Sequence, residues 1–432
     1  MDKDSASWRL DFRRRFAAIQ SDVLSRENPL SDKNKYAELI IAAVCAGDQN
    51  LASELMSKRS PKGGPYTPLA AAHCEPLEKW CMRHDTSYQT IFPSEKVEIE
   101  PTSTYTYRYV YETEPSSFVS LQDASWIPGW DFVIGSDGVV LSDSGYMPLD
   151  MAHGRRSHCY LPGPELVSFY CPESEIIVEE EALFLSEPNQ GHFGHWMVDF
   201  LPRLKGRDIA RGPLKVVVPN SLSKREIESL NFFGVAISDL IPCSDKFRYR
   251  FRKLNIYRPG RYAPPNPLHV AYVRQNISRH RPQPSRGNRI YASRTSVNTR
   301  MIKNVKEFNQ VLFEEGFIEV DMADLTIAEQ QSLLSDAEII VGAFGTNLFS
   351  IYFAPPNCTI IELTDQPQND PTIPHTSSFL GIKHQFLICE STGSSLGQPA
   401  KHAFKKDKDV HVDCSELRRR LREISQVNLR TT

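Results

Sequence analysis

His195, Asp199 and Arg203 stand four residues apart in the stretch GHFGHWMVDFLPRL (191–204), a spacing that lines them along one face of a helix. An imidazole beside a carboxylate is a general base suited to neutral pH. Two arrangements fit: His195 and Asp199 as a proton-taking pair, or Asp199 tied to Arg203 with His195 as a satisfied core residue. His192, on the loop before, is a weaker candidate for the same site. Pro202 disfavours a regular helix and predicts a kink or early end near 198–202. A second set occupies the last third of the chain. Arg294 and Arg300 flank a short loop after RIYAS (289–293), and AFGTN (343–347) follows EIIVG. Guanidinium groups chelate phosphate oxygens. Gly345 lets backbone approach a ligand, and the free N–H groups of a helix start at Thr346 and Asn347 suit an anion. Surface ion pairs and plain N-caps are the alternative use of these four residues. Glu362, near the end of CTIIEL (358–363), is placed either to accept ribose hydroxyls or to hold structure. A general base with a phosphate site is the equipment of an enzyme acting on a phosphorylated donor.

Such residues need a sheet behind them. RIYAS, FIEV (317–320), EIIVG, CTIIEL and HQFLICE (384–390) are short apolar runs separated by helical stretches. NVKEFNQVLFEEG (304–316) ends at Gly316, a suitable left-handed cap. Thr326 and Glu329 form a capping box ahead of IAEQQSLLSDA, which makes Glu329 a capping residue rather than a catalyst. This alternation predicts an α/β fold with a doubly wound parallel sheet, whose ligands bind outside the carboxyl ends of the strands. Upstream, KVEIE, YTYRYVYE, DFVIG, GVVLS, EIIVEEEALFL and KVVVP predict strands. Residues 1–58 and 69–85 predict helices, and SELRRRLREISQV near the end predicts another, capped by Asp413 and Glu416. The expected organisation is a helical region at 1–95, one α/β lobe at 96–275 and a second at 285–432.

The chain has 432 residues, 40% of them apolar, enough for two or three domains. A net charge of −3 excludes a whole-molecule polyanion binder, and no nucleic-acid-binding motif occurs. Charge is nevertheless concentrated locally. Residues 281–310 carry seven Lys/Arg against one Glu, and residues 245–262 seven against one Asp. The second run is interleaved with Phe247, Tyr249, Phe251 and Tyr257. It suits an anionic glycan or lipid-diphosphate acceptor, and equally an ordinary strand face. The nine cysteines form no CxxC and point to a reducing compartment. The spacing in HCEPLEKWCMRH (73–84) is not a zinc pattern, and no metal site is assigned. WRLDFRRRFAAI lacks the apolar core of a signal peptide, and no run approaches the roughly 20 residues of a membrane span, so a cytoplasmic protein is expected. Trp8, Phe12, Phe16 and Ile19, with Arg9 and Arg13–Arg15 around them, form either an ordinary terminal helix or a peripheral contact to an anionic membrane. GxSxG, P-loop and GxGxxG motifs are absent, so hydrolase-elbow, NTPase and dinucleotide readings lack their anchors.

Several of these motifs, in this order, resemble glycosyltransferase family 61. GHFGHWMVDFLPRL is similar to that family's N-x-x-H-W-x-x-D-x-L-P-R signature. RIYASRTSVNTRMIKN is similar to its R-I-x-x-S-R…R-x-x-x-N element, and LTIAEQQSLLSDAEIIVG, FGTNLFSIYFAPP and TIIEL follow as in the family. The resemblance covers roughly residues 180–365. It implies an inverting transferase of GT-B-like fold, with two Rossmann-like lobes facing a cleft and the N-terminal helical region added. It implies a nucleotide-sugar co-substrate, commonly a UDP-sugar, no obligatory metal, and a glycan or lipid-linked acceptor in capsule or lipopolysaccharide assembly. Carried over residue by residue, the base falls on Asp199 or His195. Donor contacts fall on Arg294, Arg300 and Asn304, joined by Gly345, Thr346, Asn347 and Glu362; Arg203 and His192 become acceptor- or phosphate-binding residues. The chain departs from the family's P-H-G-A-G-L-T-N element: its His is Phe344 here, and its final Asn is Ser350. The asparagine at 304 is followed by Val305 where Glu is common. The alternatives are a transferase-like binding or scaffold protein and a CMP-sugar-dependent transferase.

Overall fold

The computed structural model describes residues 3–26, 30, 32–59, 68–99, 108–130, 132–145, 149, 158–185, 193–210, 212–260, 265–279, 288–295, 297, 299–365, 372–391 and 409–431. His192, Arg281 and Arg286 lie outside these residues.

Three helices, Lys3–Leu24, Lys33–Ala46 and Gln49–Arg59, open the chain. Asp32 caps the second by accepting the Lys35 N–H at 3.1 Å. Phe12, Ile19 and Val23 of the first helix are buried against the second, and Trp8 and Phe16 pack on the same cluster. That apolar face is packed inside the protein, the use an ordinary terminal helix makes of it. The helical reading of 69–85 is corrected. Leu69–Glu75 is a strand, antiparallel to Leu166–Tyr170 and parallel to Val140–Leu141, and only Leu77–Arg83 is helical. Long-range pairing overrides the helix propensity of an alanine-rich run. Tyr88–Phe92 pairs with Ser116–Trp126, so the first 95 residues supply two strands of the larger sheet.

That sheet has twelve strands among the described residues. Its centre is a long antiparallel pair, Ser116–Trp126 with Arg248–Arg258. On one side Ala182–Phe184, Lys215–Pro219 and Leu240–Cys243 continue it in parallel. The basic run at 245–262 is therefore largely a strand, and five of its cations form local ion pairs. Arg248 and Arg250 pair with Glu175, Arg252 with Asp123, Lys253 with Glu181, and Arg258 with Glu114 and Asp143. Phe251 and Tyr257 are fully buried. The run is thus a strand face laced with ion pairs.

The second sheet is parallel throughout, in the order Ile318–Asp321, Asn288–Ser293, Ala337–Ala343, Thr359–Thr364, Lys383–Ile388. The fold is mixed α/β, and this half is doubly wound as the alternation predicts. The helix Val305–Glu314 stops at Gly316 (φ 76°), and Thr326 and Glu329 close both bonds of the capping box. Strand order reverses between Asn288–Ser293 and Ala337–Ala343, which are neighbours with their connections leaving to opposite sides. In open parallel sheets ligands bind at such a reversal, outside the carboxyl ends of the strands. One apolar cluster runs from Leu183 and Trp196 to Ile290, Ile351 and Ile360, so the two sheets pack against a common seam. Among the described residues no helix is long and apolar enough to cross a membrane.

Candidate active site

Arg294 leaves the strand Asn288–Ser293 and Phe344–Asn347 leaves Ala337–Ala343, so both arrive at the strand-order reversal. Their side chains meet over Gly345. A Cβ on that residue would overlap Arg294 Nη1 and stand 3.1 Å from Arg300 Nη1. Only glycine leaves room for two guanidinium groups so near the backbone. Arg294 also donates to Asn347 Oδ1 at 3.4 Å, while Asn347 Nδ2 donates to the Ala292 carbonyl at 2.7 Å. Asn347 thus ties the helix start to the end of the neighbouring strand. Arg300 donates to the Phe344 carbonyl at 2.9 Å, and its guanidinium lies 5.0 Å over the Phe344 ring. Phe344 serves as a platform for this cation. Thr346–Phe353 is a 3₁₀ helix capped at Gly345 without any side-chain bond, so Thr346 and Asn347 are not its caps. Two cations and the positive end of a helix make a site for an anion.

His195 and Asp199 come from the other sheet, after the strand Ala182–Phe184. Pro202 has no N–H to return to an earlier carbonyl, and the chain accommodates it by changing pitch. Trp196–Phe200 is a π-helical turn in which the Leu201 N–H reaches the Trp196 carbonyl, and Leu201–Leu204 tightens to 3₁₀. π turns are frequent at functional sites. Here the wide turn carries a buried carboxylate beside a half-exposed imidazole: His195 Nδ1 lies 2.9 Å from Asp199 Oδ2, with side chains 35% and 3% exposed. The geometry brings together the His–Asp pair that the spacing left open. The carboxylate orients the ring through Nδ1.

The two sets share one element. A Cβ on Gly194 would stand 2.6 Å from the Phe349 ring, so the turn carrying His195 lies directly on the helix whose start holds Arg294 and Arg300. Behind it, Tyr352 of that helix is fully buried. Burial first, and then the charge of Asp199, raise its phenol far above the usual range. Nothing in the spacing of 346–353 singled out Tyr352.

Three sequence candidates have other employment. Arg203 is 1% exposed and donates to the carbonyls of Asp199 at 3.3 Å and Gly145 at 2.8 Å, so it braces the π turn rather than greeting an acceptor or phosphate. Glu362 is 2% exposed and its Oε2 lies 2.8 Å from His384 Nε2, which places it in the sheet interior rather than on a ribose. Asn304 uses both ends of its amide on Val412, accepting its N–H at 3.0 Å and donating to its carbonyl at 2.8 Å. A donor contact is not its role here. His269 was missed altogether. It is 5% exposed, accepts or donates at 2.8 Å with the Tyr257 hydroxyl, and is pushed down to about 3 by burial and by the Arg203 charge.

Residues 193–361 match the family model described as Glycosyltransferase 61. No curated protein matches the chain.

Proposed function

Through residues 193–361 the chain belongs to glycosyltransferase family 61 and is a glycosyltransferase; from that premise we propose an inverting transfer from a nucleotide-sugar, a UDP-sugar by preference, to a glycan or lipid-linked acceptor. The observation that carries the proposal is the meeting of Arg294 and Arg300 at Gly345, beside the helix on which the His195–Asp199 turn rests. A leaving nucleoside diphosphate gains negative charge as the bond to the anomeric carbon breaks. Two fixed guanidinium groups and the Gly345–Asn347 helix start oppose that charge at no reorganisation cost, without calling on an obligatory metal. Losing one such contact costs about 3–4 kcal/mol of transition-state stabilisation, roughly a hundred- to thousandfold in rate. On the opposite face, His195, oriented by Asp199, takes the proton of the attacking acceptor hydroxyl.

In this reading the two sheets are the two lobes of a GT-B-like enzyme. The donor lobe is 285–432. The acceptor lobe is 96–275 together with the strands at 69–75 and 88–92, and the helices before residue 60 are an addition. The setting proposed is cytoplasmic synthesis of a surface polysaccharide.

The test is a thermal-shift panel with UDP, GDP, CMP and UDP-sugars, with and without EDTA, on wild type and Arg294→Ala. A selective shift that survives EDTA and disappears in the variant is expected. Well-folded wild type that responds to no nucleotide and forms no product would replace this reading with a binding module. A response to CMP alone would replace the donor.

A further inference from the structure

Arg300 has left-handed backbone (φ 59°) although it is not glycine. A residue held there costs on the order of 1–3 kcal/mol and persists only where its surroundings over-determine it. The surroundings are the segment 409–412, more than a hundred residues away in the chain and outside the family match at 193–361. Asp409 is fully buried. Its Oδ1 accepts the Met301 N–H at 2.9 Å, immediately after Arg300, and its Oδ2 pairs with Lys303 Nζ at 2.7 Å. The backbones then interlock: the Val410 N–H donates to the Met301 carbonyl and the Lys303 N–H to the Val410 carbonyl, both at 2.9 Å. Asn304 closes the ladder on Val412. The segment is itself anchored on both sides, by pairing of Val410–His411 with Glu390–Ser391 and by Asp413, which caps the last helix.

We propose that Asp409 is a positioning residue for the donor site: by holding the Met301 amide and the Lys303 ammonium it fixes the turn that aims Arg300 at Phe344 and Gly345. The C-terminal segment is then part of the donor site without touching the donor. This rests on the reading of Arg294 and Arg300 as the diphosphate site, and the experiment separates the two.

Dissociation constants for UDP and for inorganic pyrophosphate are measured by calorimetry on wild type, Arg300→Ala, Asp409→Asn, Lys303→Met and the pairs that combine Arg300→Ala with each of the others. Lys303 is half exposed, so Lys303→Met removes the ion pair from the solvent side and leaves Asp409 held by the Met301 N–H; read beside its own melting temperature, it stands in should Asp409→Asn fold poorly. Each of the two is expected to weaken binding about tenfold in wild type, the effect of misplacing one charge-assisted contact. Each is expected to change nothing further once Arg300 is alanine, because residues acting through one group are not additive. A merely structural role would weaken binding equally in both backgrounds, and that additivity overturns the positioning role alone. So does undiminished binding in both Asp409→Asn and Lys303→Met. Arg300→Ala that binds both probes like wild type, or wild type that binds neither, overturns the donor-site reading and this inference with it.

Discussion

Gly345→Ala is the sharpest perturbation of the donor site, because it adds one methyl group and removes no charge. The new Cβ would overlap Arg294 Nη1 and crowd Arg300 Nη1 at 3.1 Å. Both contacts are with the far ends of flexible side chains, so the guanidinium groups swing away, while the backbone of Gly345 (φ 155°), which L residues rarely adopt, adds about 1–3 kcal/mol of strain. Displacing one charge-assisted bond to a diphosphate costs about 1.5–3 kcal/mol, or roughly 10- to 100-fold in affinity. The assay is the thermal stabilisation by UDP. At about 100 times the wild-type dissociation constant, wild type gains about 2.7 kcal/mol. At the same UDP concentration a tenfold weaker variant gains about 1.4 kcal/mol and a hundredfold weaker one about 0.4 kcal/mol. The unliganded melting temperature should fall by a few degrees from the backbone strain, and the loss of the UDP shift is read against each protein's own unliganded value. A Gly345→Ala protein that keeps the full UDP shift would refute the claim that the diphosphate sits on the two arginines at this turn. A protein that loses the shift and also melts far earlier would show that the glycine serves the fold instead.

Three further outcomes are expected. His195→Ala and Asp199→Asn should each lower turnover by about 10²–10⁴ while leaving UDP affinity within a few fold, and near-normal turnover in both would remove the pair from the mechanism. Stability should fall with acid through His269. Its pKa is about 3 in the fold against an ordinary value of 6.5, so between these values the unfolded chain binds the extra proton. Its contribution is complete above pH 6.5 and declines by up to about 1.4 kcal/mol per pH unit below it. Denaturant titrations between pH 4 and 8 should show that slope shrink in His269→Gln, and an unchanged slope would contradict the assignment. Thr326→Ala should cost about 1 kcal/mol of stability through the lost cap without altering UDP affinity; a change in affinity would mean that Glu329 is more than a capping residue.

Short-range energies made much of this protein legible in its sequence. Apolar runs alternating with capped helices determine the parallel sheet, because side-chain period, the Thr326–Glu329 box and the Gly316 stop act within a few residues. The positions of Arg294 and Gly345 at strand ends follow from the same alternation. So does the disturbance at Pro202, though not its form, a π turn followed by a 3₁₀ turn. Tertiary structure decided the rest. Residues 69–75 are a strand because partners far along the chain pair with them, against their local propensity. A strand-end position gave Glu362, and the family resemblance gave Arg203 and Asn304, the look of ligand contacts; His384, the Gly145 carbonyl and Val412 claim them instead. Asp409 lies in a charged, patternless stretch, and its meaning depends on a contact 108 residues away. Local sequence sets which element forms and where it stops. Which buried charge meets which backbone is set by chain closure over long loops, and that energy has no signature in neighbouring residues.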